Sequence, residues 1–393
     1  MGLRQKVKRL RNCVYKASAD FIIPVLQRAG VQVRPTGYFP SVLAWSQSGG
    51  IEQGEIYEEY EPPVEQDHPV SRALMDSPCG ECFRDLKPGT TTRQYRLSLS
   101  GARVYGARGV IVHQTNRIFS EITYEYATEP KHFSFWNDVR VPIVNETVKS
   151  LGVAHSMSAH NYSHWLMEVV PQLIKLKEDL DSGDIERIYV SCEKGFQKEW
   201  LDIIGIDQDK VLQAGDEKHI HAEKMVVYSM PMRNCEFSEA QIETFKSLVD
   251  PRWEPMRNRK IFVGREGGNR SFALSNADLK SVVEDCGYEY VLMEQHTVRE
   301  KIRYFAEATT IAGPHGGGFG GILFSSHGTE FREIHSPLIP NLCYWRIASS
   351  CGLKYDATYA HPESGADSLK GVQKRLRFTE KELREFLNRK ISS

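Results

Sequence analysis

No run of about 18 apolar residues occurs anywhere in the chain, so no membrane-spanning helix is expected. Net charge is missing too. Fifty Lys and Arg face 51 Asp and Glu, a balance of −1 that offers no global attraction to a nucleic-acid backbone. Cysteine is sparse and scattered: of eight, only Cys79 and Cys82 form a C-x-x-C pair. A single such pair, without a second pair or nearby histidines, is a poor zinc set, and it precedes no βαβ pattern that would make it a redox motif. Reduced thiols are therefore expected. The chain has no internal repeat and no usual secretion signal. It also lacks G-x-x-x-x-G-K-[ST] and G-x-S-x-G, which excludes a P-loop phosphate cradle and a nucleophile elbow. Paired aspartates for a divalent ion are no better supported. Asp179-Leu180-Asp181 closes a helical pattern and Asp207-Gln208-Asp209 reads as a turn, so no metal and no resident cofactor are expected.

At 393 residues a single core is unlikely by size, and two domains are the expectation. Residues 1–35 form a basic helical segment, with Arg4, Lys6, Lys8, Arg9, Arg11 and Lys16 ahead of Phe21-Ile22-Ile23. Two readings stand: a solvated basic helix, or one lying on an anionic membrane surface. Met1-Gly2 opens a myristoylation-like pattern, but Lys6 occupies the place where Ser or Thr is needed. The resulting expectation is a cytoplasmic protein with peripheral contact at the inner face of the membrane.

Residues 36–90 read as loop. Residues 91–145 alternate and are rich in β-branched side chains, a β-rich N-terminal segment. A helix follows near Leu166, with Val170 and Leu173 continuing its stripe and Pro171 kinking it. Strands at Arg187–Ser191 and Lys224–Tyr228 flank a helix at Gln197–Ile204, giving an N-terminal α/β domain over 36–250, with a hinge at Asp250–Pro255. The second domain, 251–365, alternates more regularly. Its strands are Lys260–Val263, Tyr288–Leu292, Thr309–Ala312, Phe331–Ile334 and Leu353–Thr358. Helices fit between them, one at Ala277–Asp285 behind an Asn276 cap and one at Val298–Ala308. This pattern implies a parallel sheet with right-handed crossovers. A last amphipathic helix lies in 366–393.

The chain is organised around 309–333, TTIAGPHGGGFGGILFSSHGTEFRE. A strand ends in Pro314-His315, a glycine loop (Gly316, Gly317, Gly318, then Gly320 and Gly321) follows, and an apolar turn succeeds it. Glycine lets the main chain approach a ligand closely, and a helix start presents N–H groups to an anion. The arrangement suits a nucleotide diphosphate. Gly316, Gly318 and Gly321 also spell G-x-G-x-x-G with Glu333 downstream, the dinucleotide fingerprint, although that motif ordinarily opens its fold rather than coming late. An oxyanion-hole reading of His315-Gly-Gly-Gly318 lacks its downstream nucleophile. In the third reading, the loop holds a nucleotide sugar and Glu333 accepts hydrogen bonds from ribose hydroxyls.

Three blocks carry a resemblance to glycosyltransferase family 61, a group with plant, extracellular O-GlcNAc and bacterial capsule-locus members. They are Asn161-Tyr-Ser-His164-Trp165 with Glu168; Val263-Gly-Arg265 through Arg270 to Asn276; and Phe305 through His315-Gly316 to Gly328-Thr329 and Glu333. The resemblance implies an inverting enzyme of GT-B architecture, two Rossmann-like domains facing across a cleft. It also implies a UDP-sugar or related donor held mainly by the C-terminal domain. The family's loop usually reads His-Gly-Ala-Gly-Leu-Thr-Asn; here Gly317, Phe319 and Gly320-Gly321 depart from it, leaving backbone amides to carry the phosphate contacts.

On this basis the donor-binding set is Arg265, Arg270, Asn276, His315, Gly316, Gly317, Gly318 and Glu333, with Arg265 and Arg270 clamping phosphate oxygens. His164 and Glu168 stand at i, i+4, one helical face, as base and orienting carboxylate, or with Glu168 serving instead. Surface arginines, a loop-bracing His315 and histidines in core or capping roles are the alternatives for these residues. The expected partners are a nucleotide-sugar donor and a glycan or glycolipid acceptor of surface polysaccharide synthesis, with no nucleic acid. The rival function is a catalytically silent nucleotide-sugar- or glycan-binding component of a biosynthetic complex.

Overall fold

A computed structural model of the chain describes Val25 and residues 34–391, apart from 85, 126–127, 138–140, 232–234, 250–252, 267–271, 338–340 and 363–375. The expected basic helix over 1–35 (apart from Val25 and residues 34–35), Arg270 and the start of the expected hinge at 250–252 lie outside the described residues. The fold is α/β. It divides into two compact units, each assembled from non-contiguous segments. The first takes the chain up to Glu61, Arg93–Ala159 and Glu168–Met230; the second takes Pro62–Thr92, His160–Met167 and the chain from Pro231 onward. The second unit thus begins well before 251 and borrows two earlier stretches. The C-terminal helix, Glu380–Asn388, is part of its core rather than a separate element.

The first unit is built on one nine-stranded sheet. Its spine is the Gln94–Tyr105 strand, antiparallel to His219–Tyr228, which in turn runs parallel to Glu146–Val153. Arg187–Val190 and Val211–Gln213 extend the sheet in parallel. The β-rich segment and the α/β half expected as neighbours are therefore one continuous sheet. Leu97, Leu99, Val104, Leu151, Met225 and Val227 meet on it in a single buried cluster. The stretch read as loop also contributes, because Ile56–Glu61 pairs with the spine strand. Its alternation is masked by three glutamates, Glu58, Glu59 and Glu61, on exposed or half-exposed positions.

In the second unit five strands lie parallel in the order Glu289–Val291, Arg259–Val263, Ala308–Pro314, Glu330–His335, Lys354–Tyr359. Numbered along the chain this order is 2-1-3-4-5, a doubly wound sheet. All five strands expected from sequence are present, with ends shifted by one or two residues. Val298–Glu307 packs Val298, Ile302 and Phe305 inward and starts at a Thr297–Glu300 capping box. The Leu279–Asp285 helix is capped by Asp278, whose carboxylate accepts from Ser281 N, and not by Asn276.

Candidate functional site

In a 2-1-3-4-5 sheet the connections leave in opposite directions between the first and third strands, and a crevice opens beyond the carboxyl ends of those two. Here they are Arg259–Val263 and Ala308–Pro314, which run on directly into Gly264-Arg265 and His315-Gly316. The glycine loop therefore sits at the switch point. Gly313 makes the approach of these strands possible. Its φ is +149°, and a Cβ there would lie 2.5 Å from the Val263 carbonyl oxygen. A residue with a side chain would have to part the two central strands.

Each glycine of the loop faces something specific. Gly316 lies against the Arg265 guanidinium, whose Nη1 donates to the His315 carbonyl at 2.6 Å. A Cβ on Gly317 would stand 3.1 Å from Asn161 Oδ1, and one on Gly318 would stand 2.8 Å from Val263 Cγ1. Asn161 caps the short Tyr162–His164 helix, accepting from Ser163 N and Ser163 Oγ. The structure thus brings the Asn161–His164 stretch and the glycine loop together within one unit. The departures from the family's usual loop also find a cause. Phe319 is wholly buried against Phe331 and Tyr344. Gly320 lies under Ser163, and Gly321 against the Phe305 ring. Those positions are packing positions. The glycine loop and the apolar turn after it form one 3-10 helix, Gly317–Phe324.

Glu333, expected to face a ribose, sits in the interior of the unit. It is fully buried, and its carboxylate is taken up by protein groups rather than offered to a ribose. His315 Nδ1 lies 2.5 Å from Oε1, and the Tyr355 hydroxyl donates to Oε2 at 2.7 Å. His335 Nε2 stands 3.4 Å from the same oxygen and 2.9 Å from the Tyr355 hydroxyl. Burial alone would raise the Glu333 carboxyl. The charges of His335 and His315, with their hydrogen bonds, outweigh it and hold the group well below the usual carboxylate range. The result is a buried, ionised carboxylate surrounded by donors. Donor atoms of His315, Glu333 and His335 lie within 4.8 Å of one another, a spacing a divalent ion could use. The 2.5 Å separation is that of a hydrogen bond, however, and Tyr355 caps the second oxygen.

Arg265 is placed at the loop, but with one nitrogen holding the loop backbone rather than with its whole fork presented to phosphate. Asn276 is exposed, and its Oδ1 accepts from Glu380 N at 3.2 Å, tying down the C-terminal helix. The single α-helical face expected for His164 and Glu168 does not form. An α turn covers Tyr162–His164, and a π-helix covers Trp165–Val169 just ahead of Pro171, which has no N–H to donate. Glu168 is wholly buried in the first unit with the Ser156 hydroxyl on its carboxylate. His164 belongs to the second unit. Burial, followed by the charge of His160, lowers its pKa and favours the neutral ring.

His335 and Tyr355 were not singled out from sequence. His335 lies two residues beyond Glu333 and so on the same strand face. Tyr355 is registered opposite Phe331 on the next strand, a diagonal neighbour of Glu333. The first relation was legible in E-x-H; the second needed the register.

Residues 162–331 match the family model described as Glycosyltransferase 61. No curated protein matches the chain.

Proposed function

We propose that the chain is a glycosyltransferase that takes a nucleotide-sugar donor at the switch point of its second unit. The observation that carries this reading is the position of the glycine loop and Arg265, beyond the carboxyl ends of strands 1 and 3 of a 2-1-3-4-5 sheet and inside the matched segment. Glycosyl transfer leaves negative charge on a departing diphosphate. Loop amides with no side chains in the way, beside a guanidinium, are suited to stabilise it. On this reading the donor is a UDP-sugar, transfer inverts the anomeric centre without a metal, and the acceptor is a hydroxyl of a glycan or glycolipid in surface polysaccharide synthesis. A GT-B arrangement and a cytoplasmic, membrane-peripheral location go with the same proposal.

Thermal unfolding with a panel of nucleotides and nucleotide sugars, with and without EDTA, tests it. A ligand at roughly 100 times its dissociation constant adds about 2.7 kcal/mol, a readily measured shift. Stabilisation by UDP or one UDP-sugar, unaffected by EDTA and weakened in Arg265→Ala, is the expected result; an NMR spectrum of the product then reads the anomeric configuration. Stabilisation by NAD alone would make the loop a dinucleotide site. Binding of a nucleotide sugar without nucleotide release with any acceptor would favour the silent binding component.

A further inference from the structure

Resting on the reading that a sugar diphosphate lies at the glycine loop, we propose that His315 is the proton acceptor of the transfer and that Glu333 is its positioning residue. The imidazole sits at the carboxyl end of the third strand, at the first residue of the loop. Its Nδ1 is 2.5 Å from the Glu333 carboxylate, which the Tyr355 hydroxyl and His335 hold from the other side. The Tyr355 hydroxyl already donates to Oε2, so the carboxylate serves as acceptor to its neighbours and Nδ1 carries the ring proton toward Oε1. In the neutral ring this leaves the lone pair on Nε2. The side chain of Glu333 is 0% exposed and that of His315 is 23% exposed. Since Nδ1 faces the buried carboxylate, the accessible edge of the ring is the one bearing Nε2. A basic nitrogen at the loop and a fixed tautomer behind it make a general-base pair.

The step balances within the chain and its two substrates. Nε2 takes the proton of the acceptor hydroxyl as that oxygen bonds to the anomeric carbon. The bond from that carbon to the diphosphate breaks, and its electron pair leaves with the nucleoside diphosphate. The imidazolium formed is paired with Glu333 and returns its proton to water before the next cycle. His335 keeps Nδ1 buried without a hydrogen-bond partner. Its proton therefore belongs on Nε2, facing Glu333 and Tyr355, and His335 supports the carboxylate rather than the reaction. The ring of Tyr344, 5.3 Å from that of His315, packs on its side.

The test uses the full chain with the donor found by the unfolding panel. His315→Ala is expected to keep donor affinity within about 3-fold and to lose turnover by about 10²–10⁴-fold, the usual worth of a general base. Added imidazole should restore part of that turnover. Glu333→Gln, which can donate to Nδ1 and reverse the tautomer, should lower kcat with little change in KM. If it fails to fold, Tyr355→Phe, which removes one donor from the carboxylate and leaves its ring, should lower kcat by a smaller factor. His315→Ala turning over at the wild-type rate would overturn the proposal. So would rescue by a donor with a more acidic leaving group but not by imidazole, since His315 would then assist departure of the diphosphate. Loss of turnover on adding Zn²⁺ chelators, with Zn²⁺ restoring it, would make the cluster a metal site and also overturn it. If no nucleotide sugar binds the wild type, the donor reading itself falls and this proposal falls with it; if the donor binds and only the His315 and Glu333 effects are missing, this proposal alone falls.

Discussion

Among the described residues of the second unit, Glu236 and Glu333 are each buried against imidazole, and the two clusters differ in one respect that matters. At Glu236, His68 Nε2 lies 2.5 Å from one oxygen and Arg346 holds the other. The carboxylate is fully buried, and the His68 side chain is 4% exposed. A Cβ on Gly89 would collide with this carboxylate, so the strand carrying that glycine is packed directly on it. At Glu333 the carboxylate is buried as deeply, but one of its partners, His315, reaches the accessible end of a strand. The chemistry of the pairs is alike. The second has the more exposed imidazole, 23% against 4%, and it stands at a switch point. A buried ionic pair closed on all sides joins segments distant in sequence. The same pair with one open edge becomes a candidate for proton transfer.

Breaking the contrast gives the largest effect. His315→Ala should cost about 10²–10⁴-fold in turnover. His68→Asn should leave kcat per folded molecule within about 2-fold and show its effect in the urea midpoint instead. Equal losses of turnover would erase the distinction. Next comes stability. Glu236→Gln should cost about 3–5 kcal/mol, because it strips a buried charge from two partners at once; urea unfolding checks it. Glu333→Gln should show a pH signature. The folded carboxyl is depressed, so its contribution is fully present above the unfolded value of about 4.3 and is lost as pH falls through the lower folded value. The variant should therefore lack part of the acid loss of stability seen in the wild type between about pH 5 and lower. Gly313→Ala should destabilise by more than about 1–3 kcal/mol, since it combines an unfavourable φ with a collision at the Val263 carbonyl. The smallest effect concerns Cys79 and Cys82. Burial pushes the Cys79 thiol up to about 12, so in the native state at pH 8 iodoacetamide should leave it unmodified. Rapid labelling there would show that this corner of the unit opens.

The regular half of the chain was readable because short strand-prone runs, such as Ile261–Val263 and Thr310–Ala312, recur at regular intervals between amphipathic helices. Arg259–Val263, Ala308–Pro314 and Glu330–His335 each stand within a residue or two of the expected bounds. The Ile56–Glu61 strand was not readable, since Glu58, Glu59 and Glu61 hide the alternation that pairs it with Gln94–Tyr105. Helical spacing from His164 to Glu168 misled for a local reason. Pro171 removes a donor, and a wider π turn absorbs the mismatch, so residues four apart no longer share a face.

Sequence by itself settled the class of this protein, the alternation of its second half and the place of the glycine loop at a strand end, because these follow from periodicity and from what glycine permits. It also placed Glu333 on the strand after the loop. Whether that carboxylate faced a ligand or the interior, and which imidazole it would hold, depended on strand order and register. Those depend on contacts between residues far apart along the chain, and only the packed sheet decides them.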